Sequence, residues 1–165
     1  MNELMNMQGR LTLQLTDNDG RVVHQQQRHN RIVTSGRELV AQLFTGVSSG
    51  TPPAPVSHMA VGTSNAASAD NQTALTAERS PRKAIAPADV SYSQFDEAVP
   101  GGTVRRVRVR LQTVFDFGDA NGPEPLREAG IFNAAAAGRM YNRVTFADVT
   151  KTNAFKLTLI WEITF

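Results

Sequence analysis

Phe155-Lys-Leu-Thr-Leu-Ile-Trp-Glu-Ile-Thr-Phe165 closes the chain, and its reading decides the fold. Phe155, Leu157, Leu159, Trp161, Ile163 and Phe165 occupy every second position. Lys156, Thr158, Glu162 and Thr164 fall between them, with Ile160 the one apolar intruder. Side chains on a strand alternate between its faces, so this period predicts a strand with one face in a core and one mostly wet. A helix would scatter the six large residues around its circumference. Burying them is worth roughly 1.5–3 kcal/mol each, comparable in sum to the net stability of a domain.

Outward from this strand, Leu11, Leu13 and Leu15 alternate with Thr12, Gln14 and Thr16 in the same way. They lead into Asp17-Asn-Asp-Gly20 and then Arg21-Val-Val-His24, an Asx-rich turn between two runs that predicts a hairpin. A calcium loop is excluded there by its ligand places: Arg21 takes the third and Arg28 the twelfth. A second clear strand carries Val107, Val109, Leu111, Thr113, Phe115 and Phe117 on one face. Arg106, Arg108, Arg110, Gln112, Val114 and Asp116 fall on the other.

One helix is expected, at about residues 35–45. Ser35 followed by Glu38 has the spacing of a capping box, in which hydroxyl and carboxylate each satisfy an orphan amide. Leu39, Val40, Leu43 and Phe44 repeat at helical spacing, and Gly46 supplies the stop. A Gly/Ser/Pro loop runs from Val47 to Pro55, and Val56 to Gly62 reads as a short buried strand. Leu75 to Arg79 reads as a helical turn, Arg82 to Ala86 as an edge strand flanked by Pro81 and Pro87, and Val90 to Phe95 as a weak strand. A hairpin loop follows at Glu97 to Gly102. Arg127–Asn133 and Met140–Phe146 are two more strands. The expectation is a mainly β single domain over 1–165. It is an antiparallel β-sandwich or Greek-key barrel of about eight or nine strands with one short helix.

Composition narrows the function. With 165 residues a core forms without staples, and with no cysteine there is neither a disulfide framework nor a thiolate metal site. The Met-rich start lacks the regions of a signal peptide, and no apolar run approaches the ~20 residues that cross a membrane. A soluble protein with no membrane partner is expected. Seventeen basic against fifteen acidic residues leave a net charge of +2, so the pI near 9.4 is no nucleic-acid signature.

Nothing in the residue pattern assembles a catalytic or cofactor-binding set. His24, His29 and His58 have no metal-ligand spacing, and no serine sits in a nucleophile elbow. Glu128 and Glu162 could form a glycosidase-like pair, but ion pairing with Arg127 or Arg143 is the simpler use of such carboxylates. No cofactor, no metal and no enzymatic activity are expected. The distinctive polar feature is Arg106, Arg108 and Arg110, in a row at about 6.6 Å intervals on one strand face. Such a row either pairs with acidic residues on neighbouring strands or meets a neighbouring subunit. Nucleic acid is disfavoured because no stacking aromatics are interleaved.

Several segments together resemble a recurrent structural protein of tailed-bacteriophage virions. They are Asn30 to Gly46, His58-Met-Ala-Val-Gly-Thr63, Thr73-Ala-Leu-Thr-Ala-Glu-Arg79, Leu126 to Ala134, Gly138 to Phe146, and Lys151 to Phe165. Proteins with similar successions are called tail fibre-like, tail-associated or head-decorating, and Glu128-Ala-Gly-Ile-Phe132 resembles a module of tail-fibre proteins. The resemblance implies a non-enzymatic virion component, assembled in the host cytoplasm and present in multiple copies. The resemblance leaves the station open; the tail, neck or fibre apparatus is expected, with capsid decoration as the alternative. Its partners would be copies of itself and other virion proteins, with Arg106, Arg108 and Arg110 as the candidate subunit interface. An alternative of another class is a carbohydrate-binding module for host glycans, for which Tyr92 and Tyr141 are the stacking candidates.

Overall fold

The structure is a computed structural model that describes residues 7–46 and 53–165; the Met-rich start up to residue 6 and the 47–52 part of the Gly/Ser/Pro loop lie outside the described residues. Ten strands form two antiparallel five-stranded sheets that sandwich the core, with one α-helix packed alongside. The strands are β1 (Gln8–Thr16), β2 (Val22–His29), β3 (Arg31–Ile32), β4 (His58–Gly62), β5 (Glu78–Ala84), β6 (Val90–Val99), β7 (Gly102–Phe115), β8 (Leu126–Phe132), β9 (Met140–Val149) and β10 (Lys156–Thr164). The first sheet runs β2-β1-β10-β7-β6 and the second β3-β9-β8-β4-β5.

The closing strand is the centre of the first sheet. Trp161 stands opposite Leu11 on one side and Leu111 on the other; Leu159 faces Leu13 and Thr113, and Leu157 faces Leu15 and Phe115. Three alternating apolar strands in this register present one continuous inner face, which meets Met59, Val61, Ala129, Ile131, Val144 and Phe146 of the second sheet. Leu157, Leu159 and Trp161 have no solvent access, and Phe155 and Phe165 at the strand's ends are half-buried against the same core. The Trp161 indole donates to Asn30 Oδ1 at 2.9 Å, so its one polar atom is satisfied.

The second sheet is buried on both faces. Its outer face carries a second cluster, Val33, Ala60, Leu75, Phe132 and Met140. The chain between β4 and β5 lies over it. Leu75 is buried there outside any helix or strand and does not form the helical turn expected for 75–79, because Thr76 and Ala77 spend their amides on a strand carboxylate described below. Glu78 and Arg79 already belong to edge strand β5.

The helix α1 (Thr34–Thr45) occupies the expected place, but its N-terminus is not a capping box. Val33 is the capping residue, and no side chain caps. The Ser35 hydroxyl donates to the Met140 carbonyl at 2.7 Å and Glu38 is exposed. The reason is docking. Gly36 lies so close to the Tyr141 carbonyl that any side chain there would overlap it, which presses the first turn onto β9 and turns Ser35 toward that strand. The Thr34 amide finds the Asp70 carbonyl instead, at 2.8 Å. At the other end Gly46 adopts the left-handed conformation and returns its amide to Gln42, as expected.

Trp161→Ala removes a fully buried side chain and orphans Asn30 Oδ1. It is expected to lower the unfolding free energy by about 3–5 kcal/mol. Urea titration followed by fluorescence-independent circular dichroism measures this; a midpoint equal to wild type would show that β10 does not hold the core.

Candidate functional site

The arginine row lies on the outer face of the first sheet, where β7 alternation places it. Arg106 Nε donates to Glu97 Oε2 at 2.7 Å across the β6–β7 pair. Arg108 stacks over the Phe95 ring at 4.3 Å and stands 3.7 Å from Glu162 Oε1 on β10. Arg110 donates to Gln112 Oε1 at 2.8 Å. Arg10 on β1 reaches the same Glu162 from the other side. Arg10, Arg106 and Arg108 therefore share two carboxylates, and a shallow cleft of about 180 Å³ opens among Arg10, His29, Phe95, Glu97, Arg108 and Glu162. Intramolecular pairing accounts for Arg106 and Arg108, while Arg110 has no carboxylate partner among the described residues.

The other residues singled out by sequence are dispersed. Glu162 is on the outer face of the first sheet, whereas Glu128 is sealed under the second, so the two do not form a pair across one site. His24 and His29 sit on β2 and His58 on β4 in the other sheet. Among the described residues no group of three or more His, Asp or Glu could hold a metal ion. None of the described helices is long and apolar enough to cross a membrane.

Glu128 and Arg143 form an ion pair with no solvent access, Nε to Oε2 at 2.8 Å. The carboxylate also accepts the amides of Thr76 at 3.1 Å and Ala77 at 2.7 Å. Arg143 Nη1 donates to Gln72 Oε1 at 3.2 Å, while its Nη2 is buried with no partner among the described residues. The pair is thus a clamp that fixes the segment between β4 and β5 over the second sheet. The three lysines of the chain converge elsewhere, on residues 116–121 after β7. Lys83 pairs with Asp119 at 2.6 Å and Lys156 with Asp116 at 3.2 Å. Lys151, fully buried, donates to the carbonyls of Asp116 and Thr152 at 2.9 and 3.1 Å and to Asn121 Oδ1 at 2.9 Å. Burial holds the Lys151 pKa below its ordinary value, against the opposing pull of Asp119 and Asp116.

Two features escaped the sequence. The first is an arm. The last ladder contact of β7 with β10 is the Val107–Phe165 backbone pair, so among the described residues the backbone of 102–106 pairs only with residues 95–99 of β6. Five residue pairs therefore project past the sandwich, about 17 Å at strand rise. The hairpin loop expected at Glu97–Gly102 is only the two residues Pro100 and Gly101, and the strand continues to Val99. The second is a groove of about 240 Å³ beside the arm's root, between α1 and the inner face of the first sheet. Leu39, Val40, Leu43, Pro55, Val56, Tyr92, Val109, Leu111, Tyr141, Ile163 and Phe165 line it, without one charged or amide side chain. Of its lining, Tyr92 is 74% and Leu43 41% exposed; Phe44, the next residue of α1, is 91% exposed. The helical spacing of Leu43 and Phe44 predicts core positions, but α1 buries only its first two turns against β9. Burial drives the Tyr141 phenol well above its ordinary pKa, and its hydroxyl has no hydrogen-bond partner among the described residues.

No family model matches the chain, and no curated protein or solved structure matches it either.

Glu128→Gln strands a buried guanidinium and is expected to cost about 3–5 kcal/mol. Removing both charges with Glu128→Leu and Arg143→Met does not restore stability, because the amides of Thr76 and Ala77 lose their acceptor at about 1–3 kcal/mol each. Equilibrium unfolding of the two variants decides this; a double variant as stable as wild type would mean the amides find other partners.

The lysine-held loop predicts an acid response. The Lys83 ammonium holds the Asp119 carboxyl below its ordinary value of 3.8, and the Phe117 amide with Lys156 does the same for Asp116. Carboxylates with depressed folded pKa values stabilise fully above the ordinary Asp value and lose that contribution as pH falls through the folded values. Lys83→Gln should therefore raise the Asp119 midpoint in an NMR carboxyl titration, and an unmoved midpoint would reject the pairing.

Proposed function

We propose that this chain is a non-enzymatic structural component of a tailed-bacteriophage particle, attached in multiple copies in the tail, neck or fibre apparatus. The resemblance of segments spread from Asn30 to Phe165 supports this reading. The observation that carries it is the apolar surface left exposed among the described residues. Among the described residues, Leu43 and Phe44 on α1, Tyr92 on β6 and Val104 and Val107 on β7 are large apolar side chains exposed to solvent. A surface of this kind is characteristic of chains that work in assemblies. Symmetric repetition turns one modest contact into a strong attachment, so a small domain suffices.

Mass spectrometry of purified particles, followed by immunogold labelling, tests the reading. Labels on the tail or fibres support it, labels spread over the capsid replace it with the decoration alternative, and absence of the chain from purified particles overturns both.

The glycan-binding alternative gains one observation, because Tyr92 and Tyr141 line the same groove. The groove offers no amide or carboxylate to read sugar hydroxyls, and such placed polar groups are what orient a ligand in a pocket. Binding to any member of a host glycan array would revive it.

The arginine row supplies a second test of attachment. Changing Arg106, Arg108 and Arg110 together to Gln removes outer-face charge whose carboxylate partners, Glu97 and Glu162, still reach solvent, and such pairs add modestly to stability. Folding is expected to persist, and incorporation into particles to fall or to fail at lower salt than in wild type. Loss of folding would assign the row to internal support, and unchanged incorporation across a salt series would place the joint elsewhere.

A further inference from the structure

We infer that two copies of this chain join edge to edge through β6, antiparallel about Gln94, so that the arm of each lies along the sandwich of the other. The inference names the contact between copies in the multi-copy reading above and rests on it.

The four sheet edges differ in how they are guarded. Strands at an edge carry unpaired main-chain groups, and natural sheets blunt them by shortness, proline, charge or a bulge. β3 has only two residues. β5 contains Pro81 with Arg82 and Lys83 and pairs irregularly with β4. β2 has a bulge against β1, and the Gln26 amide ties it to β9 by bonding both main-chain groups of Ala147, at 3.0 and 3.1 Å. β6 has none of these devices. It runs ten residues in unbroken register with β7, without proline, and Val90 to Phe95 carry no charge.

Register fixes which groups β6 offers. Val107 exchanges both main-chain bonds with Phe165 on the β10 side, so the even-numbered residues of β7 turn toward β6. They meet the odd-numbered residues of β6, which directs the amides and carbonyls of Tyr92, Gln94, Asp96 and Ala98 outward. A second strand with the same outward set fits when Gln94 stands opposite Gln94. Tyr92 then faces Asp96 of the other copy, and each such pair exchanges two main-chain bonds.

The side chains agree with that register. On the outer face β6 carries Ser91 and Ser93 in its first half and Phe95 and Glu97 in its second. Antiparallel pairing about Gln94 sets Ser93 against Phe95 and Ser91 against Glu97, small against large in both. Ser91 stands opposite Arg110 on β7, the member of the arginine row with no carboxylate partner among the described residues. Glu97 of the second copy therefore comes two strand spacings, about 9.6 Å, from Arg110, a gap that the two long side chains span over the serine. The ladder between β7 and β10 ends at Val107, opposite Gln94, so the axis falls at the root of the arm. The two sandwiches then lie on opposite sides of the axis, and each arm gains a strand on its open side. A strand that pairs with its own copy defines a closed two-fold dimer.

Sedimentation of the full chain should give a dimer. Gln94→Pro removes one outward amide at an edge position that proline can occupy, and is expected to give a monomer with an unchanged circular dichroism spectrum. The chain has no cysteine, so a single introduced one reports on the axis. Gln94→Cys brings two thiols into disulfide range, whereas Ser91→Cys, exposed on the same strand, leaves them about 20 Å apart along the ladder. Oxidation is expected to link the first variant at least about tenfold faster than the second.

A wild type that stays monomeric at all concentrations, or equal cross-linking of the two cysteine variants, would each overturn the inference. So would a folded Gln94→Pro chain of undiminished mass; if that variant loses its fold, the cysteine pair decides alone. These outcomes are separable from failure of the virion reading. A dimer that depends on the β6 edge but is absent from purified particles removes the phage role and leaves the edge contact standing. Particle-bound chains whose assembly ignores Gln94→Pro do the reverse.

Discussion

Arg143 and Glu128 meet where neither reaches water, and the second sheet depends on how that meeting is completed. Taking an ion of either kind out of water costs several kcal/mol, so attraction between the two alone would leave the pair close to neutral in stability. What tips the balance is that the carboxylate also terminates two backbone amides and the guanidinium holds Gln72. An apolar pair of equal volume would fill the space but could not end the hydrogen-bonding needs of a segment crossing a sheet. The charges thus act as specificity for one path of the chain from β4 to β5, and Leu75 closes the outer cluster only because that path is enforced.

Other long connections follow the same logic with different cations. Arg82 lies 3.5 Å over the Phe132 ring and donates to the carbonyls of Ala134 and Ala137, fixing the alanine-rich turn between β8 and β9. Arg79 holds the carbonyls of Ala120 and Glu124. Segments that composition marks as Gly/Pro/Ala loops are in fact tied down by buried or half-buried cations. Their order comes from main-chain carbonyls collected around a charge rather than from side-chain packing.

How much of this was legible depended on whether a residue's role is set by its neighbours in sequence or by those across a sheet. β1, β7 and β10 were readable because each has one apolar and one polar face, and period two survives as a signal. β2 was only partly readable: Val22–His29 is an edge strand exposed along nearly its whole length, so nothing separates its two faces. The Ser35 and Glu38 spacing suggested a cap that docking on β9 overrode. The row Arg106, Arg108 and Arg110 was placed on the correct face by alternation, but Glu97 and Glu162 could be named as its partners only once register was known. The groove was invisible for the same reason, being assembled from a helix, four strands and a loop that meet only in the folded chain. Leu43 and Phe44 were misleading, since an apolar pair on a helix reads as core whether its own chain or another covers it.

The convergence of all three lysines on residues 116–121 has a chemical consequence. Every side-chain amine of the described protein touches one loop, while the remaining positive charge is arginine, which stays protonated and is a poor target for acylation. Acylation of lysine is therefore blind to the arm, the groove and the arginine face, and reports on one loop. Lys83 and Lys156 are partly open there, whereas Lys151 has no solvent access. Labelling of Lys151 thus has to wait for the loop to leave its seat, and its rate is a built-in clock for that local opening.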